Sequence, residues 1–445
     1  MREPWTQSTI GECLLTEFSG EWGSEPESGG NATVLRSTDI DDEGHVNLRG
    51  GARRTISRSK LVSKKLKCGD ILLEGSGGGP GKPVGRVALF DTRDEGAYLC
   101  SNFFRTLRAS PTVINPSFLA WRLQHIYAQP SIWVFQQQTT GIINLKYRDY
   151  LRTSLELPPL PEQRRIAEIL DTLDEAIRKT EQIIAKLKQV KQGLLHDLLT
   201  RGIDDNGELR DPIRHPEQFT YTQIGQIPRK WELGPATGWC ARLTVGVVNS
   251  ATQAYVASGI PFIRSQNVKP NRIDQSGMLY VTEAFNRRQS KSILRTGDVV
   301  IVRTGYPGTA AVVPAELDGA NCFSLVIATT LPELDSRFFA QYLNSPGCMA
   351  VIDRSHFGSA QHNFNVGEMR RLPLTLPPLT EQRRILEVLT AHEERAETEE
   401  QTLRKLSLLK HGSLDDLLTG RVRVTDPPKE CVREADADLP PRVES

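Results

Sequence analysis

Two clusters of basic residues are the part of this 445-residue sequence whose composition and spacing best suit a chemical role. The denser cluster spans residues 49–67 with no acidic residue and comprises Arg49, Arg53, Arg54, Arg58, Lys60, Lys64, Lys65 and Lys67. The looser cluster comprises Arg264, Lys269, Arg272, Arg287, Arg288, Lys291, Arg295 and Arg303. Such clusters can neutralise the phosphates of a nucleic acid. A charge run can equally be a solvated face, so both interpretations stay open at this point.

The motifs that would indicate catalysis or cofactor binding are incomplete. The stretch SGGGPGKP at 76–83 imitates a phosphate-binding loop, but it has Ser76 at the first glycine position and Pro83 after the lysine. We find no Ser-His-Asp, paired-carboxylate or HExxH constellation in the sequence. The seven cysteines form no CxxC pair, which argues against a zinc site or a disulfide framework. We therefore expect a non-catalytic chain that binds no metal or cofactor itself.

Length and composition predict a globular protein of two or three domains. The sequence is 38% hydrophobic and 24% charged, with a formal net charge of +1. No apolar run reaches the roughly 18 residues that a membrane helix needs, and the first residues lack the layout of a signal peptide. We expect a cytoplasmic protein without a membrane contact. The low net charge does not itself indicate nucleic-acid binding.

A long repeat organises the chain. Residues 157–200, beginning LPPLPEQRRIAEIL, align without a gap with residues 376–419, beginning LPPLTEQRRILEVL, and 23 of the 44 positions are identical. Upstream of each copy, VLRSTDI (34–40) matches FIRSQNV (262–268), and LKCGDILLEGSG matches LRTGDVVIVRTG. The repeated unit is a variable domain followed by a helix. Two copies predict a pseudo-two-fold molecule, which suits a ligand or partner with two similar halves.

Each copy of the 44-residue segment predicts a long helix with a heptad seam. The first seam comprises Ile166, Leu170, Leu173, Ile177, Thr180, Ile184, Leu187, Lys191, Leu194 and Leu198. The second comprises Ile385, Leu389, His392, Ala396, Glu399, Leu403, Leu406, Lys410, Ser413 and Leu417. About 39 residues make a rod of roughly 58 Å. We expect the helices to pack antiparallel, with Thr180 and Glu399 near the midpoint; docking on separate domains or on another protein is the alternative.

The variable regions have the patterns of mixed α/β domains. GDILLEG and GDVVIVRTG are typical of short strands that enter glycine-rich turns, and residues 115–129 and 335–345 of short amphipathic helices. The predicted division is a first variable domain at 1–156, a helix at 157–200, a connector at 201–236, a second variable domain at 237–375, a helix at 376–421, and a disordered tail at 422–445.

These motifs together resemble those of the DNA specificity (S) subunit of type I restriction–modification enzymes, the HsdS family. The resemblance rests on the duplicated LPPLxEQRRI motif with its helix, on LLTRGIDDNGELRD and IGQIPRKWELG in the connector, and on GIPFIRSQNV in the second domain. It implies an α+β fold with two target recognition domains, each of which reads one half of an interrupted DNA site. The two helices would act as a spacer between half-sites about one DNA turn, ~34 Å, apart.

The resemblance also implies the partners. The subunit would bind double-stranded DNA and recruit two methyltransferase (M) subunits and two restriction (R) subunits. S-adenosylmethionine, ATP and Mg²⁺ would belong to those partners, with no cofactor bound by this chain. Two other functions remain open: a fused enzyme, which would carry bound S-adenosylmethionine, and a coiled-coil scaffold that binds only protein.

The resemblance and the basic clusters together give the candidate site residues. The predicted DNA-binding residues are Arg36, Ser37, Arg53, Arg54, Arg58, Lys60, Lys64, Lys65, Arg264, Ser265, Asn267, Arg287, Arg288, Arg303, Thr304 and Tyr306. The stretches TTGIINL (139–145) and FGSAQHNFNV (357–366) fit a family segment near the DNA. The predicted subunit-interface residues are Glu162, Gln163, Arg164, Arg165, Glu381, Gln382, Arg383 and Arg384.

Overall fold

The chain forms two compact units that each combine a mixed α/β domain with halves of two long helices. The computed structural model describes residues 4–26, 29–78, 81–92, 94–139, 141–355 and 364–424. The first unit contains residues 1–181 and 401–445, and the second contains residues 182–400. The long helices are Leu160–Thr200 and Leu379–Leu418. Among the described helices, none combines the length and the apolar character needed to cross a bilayer.

The first unit is built on a four-stranded antiparallel sheet. Its strands lie in the order Leu14–Ser19, Phe104–Ala109, Asp70–Glu74 and Val87–Phe90. A second sheet has the order Ala52–Arg54, Ala32–Leu35 and Tyr98–Cys100, with the last pair parallel. Smaller pairings join Thr6–Thr9 with Ser154–Leu157, and Ile142–Leu145 with both Gln136–Thr139 and Ser76–Gly78. The helices before the long one are Arg58–Lys64, Pro116–Ala128 and Tyr147–Leu151.

The second unit repeats the strand order of the four-stranded sheet and adds one strand to the second sheet. Its four-stranded sheet has the order Cys240–Val245, Leu325–Thr330, Val299–Val302 and Ala310–Val312. The second sheet has the order Tyr255–Val256, Leu279–Val281, Ile260–Ile263 and Asn321–Cys322, again with a parallel last pair. Glu232–Pro235 pairs with Pro373–Leu376, Phe219–Thr222 with Gly225–Pro228, and Val268–Lys269 with Arg272–Ile273. The helices are Glu283–Arg288, Ser336–Leu343, Pro346–Ser355 and Val366–Arg371.

The two short helices predicted from periodicity are confirmed, and their first residues explain where they begin. The side chain of Asn115 accepts a hydrogen bond from the Phe118 N–H at 2.9 Å, and a proline occupies the first turn. Asp335 caps the equivalent helix through the Arg337 N–H at 2.9 Å. Asn and Asp are favoured at this position because they satisfy backbone donors that have no partner within the helix.

The repeated Gly-Asp pair has a structural role in both units. Gly69 has a φ of 89°, which favours glycine, and the buried carboxylate of Asp70 accepts two hydrogen bonds at 2.7 Å from Arg108 of the neighbouring strand. In the second unit the buried Asp298 pairs with Arg242 at 2.5 Å. The first ion pair joins its strand to the neighbouring strand, whereas the second reaches Arg242 on Cys240–Val245, which lies two places away in the sheet.

The long helices pack antiparallel within each unit, as the seam predicts. In the first unit Ile166 and Leu170 share a buried core with Leu417, and Lys410 pairs with Asp174 at 2.5 Å. In the second unit Leu195, Leu198 and Leu199 share a core with Ile385, Leu386 and Leu389, and Lys191 pairs with Glu393 at 2.8 Å. The two ion pairs occupy repeat-equivalent positions. The layer expected at Thr180 and Glu399 would involve both units and stays a prediction.

The boundaries of the long helices differ slightly from those in the sequence prediction. Residues Ser154–Leu157 and Pro373–Leu376 are strands, so the leucine that opens each LPPL motif ends a strand. Each helix starts three residues later, after the two prolines, because a proline disfavours helical conformation in the residue before it. The second helix ends at Leu418 rather than at 421.

Candidate nucleic-acid interface

The two Arg-Ser pairs lie in equivalent turns of the two units. Each pair follows a strand and leads into a one-turn 3₁₀ helix, Ser37–Asp39 or Ser265–Asn267. In the first unit Nε and Nη2 of Arg36 donate to the Asp39 carboxylate at 3.0 Å, and Nη2 also donates to the Gly50 carbonyl at 2.6 Å. The Arg36 side chain is still 44% exposed. The ion pair therefore fixes the orientation of a guanidinium group that remains accessible.

The turn of the second unit has a different charge. Asn267 replaces the aspartate, so Arg264 has no carboxylate in its turn, and its Nη2 donates to the Gly277 carbonyl at 2.9 Å. Asn267 is 1% exposed; it accepts from the Arg264 N–H at 3.1 Å and donates to the Asp274 carbonyl at 3.0 Å. The structure thus places Asn267, one of the predicted DNA-binding residues, inside the turn. Ser37 and Ser265 are half-buried at the start of the two turns.

Part of the dense basic cluster supports the domain itself. The exposed Arg53 donates to the Gly30 carbonyl at 2.7 Å. Arg54 is buried, with its guanidinium carbon 4.5 Å from the centroid of the Trp22 ring and its Nη1 2.5 Å from the Glu25 carboxylate. Stacking on an indole together with an ion pair holds the Arg54 side chain in place. Arg54, although predicted to bind DNA, therefore faces the interior of the unit.

The helix Arg58–Lys64 carries further positive charge, part of which is balanced locally. Glu21 lies 2.9 Å from Lys60 and 3.4 Å from Lys64, and the hydrogen bond from Lys60 lowers the pKa of Glu21. Lys65 donates to the Glu95 carbonyl at 3.3 Å. Not every charge counted in the sequence is thus available to a phosphate. The exposed members of the cluster are Arg49, Arg53, Arg58, Lys60, Lys65 and Lys67.

In the second unit, the helix Glu283–Arg288 exposes two adjacent arginines at its last turn. Arg287 and Arg288 both face solvent, and Arg287 pairs with a glutamate one turn earlier at 3.3 Å. A hydrogen bond joins the helix to the strand Asn321–Cys322: the Asn321 side chain donates to the side-chain oxygen of the buried Asn286 at 2.7 Å. This hydrogen bond fixes the position of the arginine pair relative to the sheet.

Arg303, Thr304 and Tyr306 occupy a tight hairpin between two strands of the second unit's four-stranded sheet. Two glycines in this hairpin have φ values of 88° and 90°, which permits the sharp turn. Tyr306 is 80% exposed and Thr304 is exposed. Arg303 is half-buried, and its Nη1 donates to the Ser324 hydroxyl at 3.2 Å. The hairpin therefore presents Thr304 and Tyr306 to solvent and holds Arg303 at its base.

Sequence reasoning missed three residues that the structure brings beside Arg36 and Ser37. Trp22, Asn102 and Phe103 line one recess with that pair, and Phe103 is 46% exposed. Trp22 is far in sequence from the adjacent Asn102 and Phe103, and none of the three is charged, so no local pattern marks them. One signal points to the turn that holds Asn102 and Phe103: in each repeat a short strand that ends in cysteine, Tyr98–Cys100 or Asn321–Cys322, precedes this turn.

The stretch at 139–145 contributes the strand Ile142–Leu145, which pairs with Gln136–Thr139. Most of its counterpart at 357–366 lies outside the described residues, as does the predicted tail from residue 425 onward. Within the part of the chain that the structure describes, no group of three His, Cys, Asp or Glu side chains is arranged to hold a metal ion.

The glutamines of the repeated motif are buried inside their own units. Gln163 is 1% exposed; its side chain accepts from the Asn115 N–H at 2.8 Å and donates to the Pro158 carbonyl at 2.9 Å. Gln382 is fully buried, accepts from the Asp335 N–H at 2.9 Å and donates to the equivalent proline carbonyl at 2.8 Å. Each glutamine thus ties the cap of a short domain helix to the start of a long helix.

The glutamates of the motif bind arginines from distant segments. Glu381 accepts two hydrogen bonds from Arg210, at 2.5 and 3.0 Å, and one from Trp231 at 3.1 Å. Glu162 accepts two from Arg423, at 2.8 and 2.7 Å. Burial raises the pKa of Glu162, but the hydrogen bonds and positive charge of Arg423, together with hydrogen bonds from the Val424 N–H and Trp5, outweigh burial and lower the pKa. Both predicted interface glutamates therefore stabilise their own unit.

The four arginines of the motif lie outside this network of buried contacts. Arg165 pairs with Glu168 at 3.2 Å on the same helix, and Arg384 donates to the Asp204 carbonyl at 3.2 Å. These contacts are at the surface and leave the guanidinium groups accessible to a partner. The exposed arginines are Arg164, Arg165, Arg383 and Arg384.

Comparisons with known proteins agree with this architecture. The family model for the type I restriction modification DNA specificity domain matches residues 27–189 and 248–408. A protein of Methanocaldococcus jannaschii, whose name describes a type I restriction enzyme MjaX specificity subunit, is 22% identical over 427 residues, covering 95% of this chain and 94% of the relative. The EcoBI specificity subunit of Escherichia coli is 26% identical over 253 residues, covering 55% and 52%.

A solved structure shares the fold. The crystal structure of the S subunit of a type I restriction–modification system from M. genitalium matches with a TM-score of 0.55 at 15% identity, covering 95% of this chain and 97% of that one. At this identity the likeness concerns the fold alone.

Proposed function

The chain belongs to the type I restriction modification DNA specificity family, and from that premise we propose how its parts divide the work. It is the DNA specificity subunit of a type I restriction–modification enzyme, and it is not itself catalytic. The recognition domains are proposed to be residues 1–156 and 237–375, each reading one half of an interrupted DNA site. The helices are proposed to set the gap between the two halves.

One observation carries this proposal: the four-stranded sheets of the two units have the same strand order, but equivalent turns carry different side chains. Arg36 is paired with an aspartate, whereas Arg264 lies beside the neutral Asn267. A duplicated fold with divergent exposed turns suits a ligand whose two halves have the same backbone and different base sequences. Arginine can contact guanine through two hydrogen bonds, and hydroxyl and amide groups can read other base edges.

The proposed DNA contacts come from the accessible members of the candidate set. Arg54 and Asn267 are left out, because their polar groups already bind inside the unit. Exposed lysines and arginines position the duplex through phosphates, and the turn and hairpin residues read base edges. The proposed contact residues are Arg36, Ser37, Arg53, Arg58, Lys60, Lys64, Lys65, Arg264, Ser265, Arg287, Arg288, Arg303, Thr304 and Tyr306.

The repeated motif supports a proposal for the partner subunits. The exposed arginine pairs at 164–165 and 383–384 occupy equivalent positions, so they offer the same chemistry twice. We assign them to the docking of two methyltransferase subunits, with two restriction subunits completing the complex in the cytoplasm. The buried Glu and Gln of the motif would act indirectly, by fixing the start of each long helix. S-adenosylmethionine, ATP and Mg²⁺ would bind to the partners.

A charge reversal with an internal control tests the DNA contacts. We would compare R287E/R288E with R370E/R371E, since both pairs are exposed arginines that end a six-residue helix of the second unit. Binding to a duplex that contains the target sequence would be measured at several salt concentrations with the methyltransferase complex.

The first variant should lose affinity and lower the salt slope by about 0.9 for each phosphate contact removed. The second variant should bind like the wild type. Equal binding and equal slopes for both variants would contradict a role of the Glu283–Arg288 helix in phosphate contact.

A further inference from the structure

The first unit contains a recess with aromatic walls beside the Arg36 turn. Its cavity volume is about 440 Å³. Trp22 and Phe103 form its apolar sides, Ser101 lies at its base, and Arg36 and Asn102 are among its polar lining residues. All of these residues belong to one domain, so the recess does not depend on any contact outside it.

The fold holds the Trp22 side chain and the Phe103 backbone in place. Arg54 stacks on Trp22 and donates to its carbonyl at 3.3 Å, which explains why this arginine of the basic cluster is buried. The Phe103 carbonyl accepts from the Gly75 N–H at 2.7 Å. Gly77 lies beside the Phe103 ring, since a Cβ added there would be in van der Waals contact with the ring at 3.5 Å. Phe103 is therefore an exposed aromatic side chain on a fixed backbone.

The polar lining retains capacity for hydrogen bonds. Ser101 is 3% exposed, and its hydroxyl oxygen is a buried group for which no partner is found among the described residues. Buried hydroxyl groups normally have a partner. Arg36 binds Asp39 through Nε and Nη2, which leaves Nη1 for another acceptor. Asn102 is exposed at the rim.

The described residues of the second unit have different side chains at the equivalent place. Its backbone hydrogen bonds align Phe323 with Ser101, and Val248 with Trp22. A phenyl ring therefore stands where the first unit has the small serine, and a valine replaces the indole wall. The turn that follows is one residue shorter, so Phe103 has no counterpart. The two domains thus differ in apolar shape as well as in charge.

We propose that this recess receives the 5-methyl edge of a thymine in the half-site read by the first domain. This inference rests on the proposed function. Apolar side chains recognise thymine through its methyl group, while neighbouring amide, hydroxyl and guanidinium groups bind the polar atoms of base edges. Basic side chains on the same domain can bind the phosphates that border a DNA groove, which suits a recess that contacts base edges within that groove. Trp22, Phe103 and Asn102 then determine specificity together with Arg36.

Removing individual thymine methyl groups from the DNA tests the proposal. The half-site of the first domain is identified as the half that changes when residues 1–156 are exchanged for those of another specificity subunit. Each thymine of the target is then replaced by deoxyuridine, which lacks only the methyl group. Affinity is measured for the complex of the full chain with its methyltransferase subunit.

At one or more thymines of that half-site, deoxyuridine should weaken binding roughly fourfold, the value of one buried methyl group. Phe103→Ala should abolish the difference between thymine and deoxyuridine while recognition of the other half-site persists. Trp22→Phe, which keeps an aromatic wall, should reduce the difference. Val248→Ala, at the equivalent position of the second domain, should leave it unchanged.

The inference is overturned if every deoxyuridine duplex in that half-site binds as tightly as its thymine parent. It is also overturned if Phe103→Ala preserves the fourfold difference. Absence of any sequence-specific binding by the wild-type complex would overturn the proposed function along with it, which distinguishes that failure from a failure of the recess alone.

Discussion

Replacing Glu381 by glutamine should destabilise the second unit by about 3–5 kcal/mol, because it leaves a buried arginine without its counter-charge. The Glu381 carboxylate receives two hydrogen bonds from Arg210, one from Trp231 and one from the Ile203 N–H. The arginine and glutamate side chains are only 6% and 7% exposed. Glutamine offers one acceptor oxygen to these donors and turns an NH₂ group towards the guanidinium.

A matched control exists at the same motif position of the first unit. Glu162 accepts two hydrogen bonds from Arg423 and one from the Val424 N–H. The Arg423 side chain is 22% exposed, so water can solvate it when its partner is lost. Glu162→Gln should therefore cost distinctly less than Glu381→Gln. The double variant R210M/E381L should also cost less than Glu381→Gln, because it leaves no isolated buried charge.

Urea unfolding with hydrogen exchange resolved by peptide would measure the loss in each unit. With a slope of about 2 kcal/mol/M, Glu381→Gln should lower the unfolding midpoint of the second unit by roughly 2 M. The reasoning is refuted if this variant loses no more stability than Glu162→Gln. It is refuted as well if R210M/E381L is as unstable as the single variant, since the uncompensated charge would then not be the cause.

Three further predictions concern pH and backbone conformation. The hydrogen bond that the protonated His45 imidazole donates to the Asp174 carboxylate raises the pKa of His45 from 6.5 to about 8. The first unit should therefore hold this stabilisation fully below pH 6.5 and lose about 2 kcal/mol as the pH rises through 8; unfolding at several pH values should show a flatter profile for His45→Gln. Gly193 and Gly412 lie inside the long helices with nothing within 4 Å of an added Cβ. Alanine at either position should raise stability by about 0.5–1 kcal/mol, and a lowered melting temperature would contradict this. Alanine at Gly246 would place its Cβ 2.5 Å from a backbone oxygen, so thermal unfolding should show a clear loss of stability in the second unit.

The regular elements of the fold could be predicted from the sequence because local chemistry determines them. Two signals are local in the sequence: the Asn-Pro pair at the start of the helix Pro116–Ala128, and the heptad spacing of Leu160–Thr200. The repeat then predicted that the two long helices would pack on each other. The structure adds the register within each unit, since Asp174 with Lys410 and Glu393 with Lys191 are equivalent ion pairs.

The roles of individual polar residues were harder to predict because their partners are distant in sequence. Glu381 and Gln382 recur in the motif, and repetition alone cannot distinguish a residue that binds a partner from one that stabilises its own unit. The partner of Glu381 is 171 residues away. Likewise, the composition of the basic cluster does not reveal that Arg54 stacks on Trp22. Residues such as Phe103 carry no charge and become candidates only through their exposure in the folded domain.

The central claim, that two domains of one chain read two halves of a DNA site, is tested most directly by mapping methylated adenines. The chain would be coexpressed with its methyltransferase subunit, and the genome of the host sequenced by a single-molecule method that detects the modified base. We predict a bipartite motif with a fixed nonspecific gap, in which exchange of residues 237–375 changes one half and leaves the other half and the gap intact. A continuous motif, or a change in both halves after the exchange, would contradict the account.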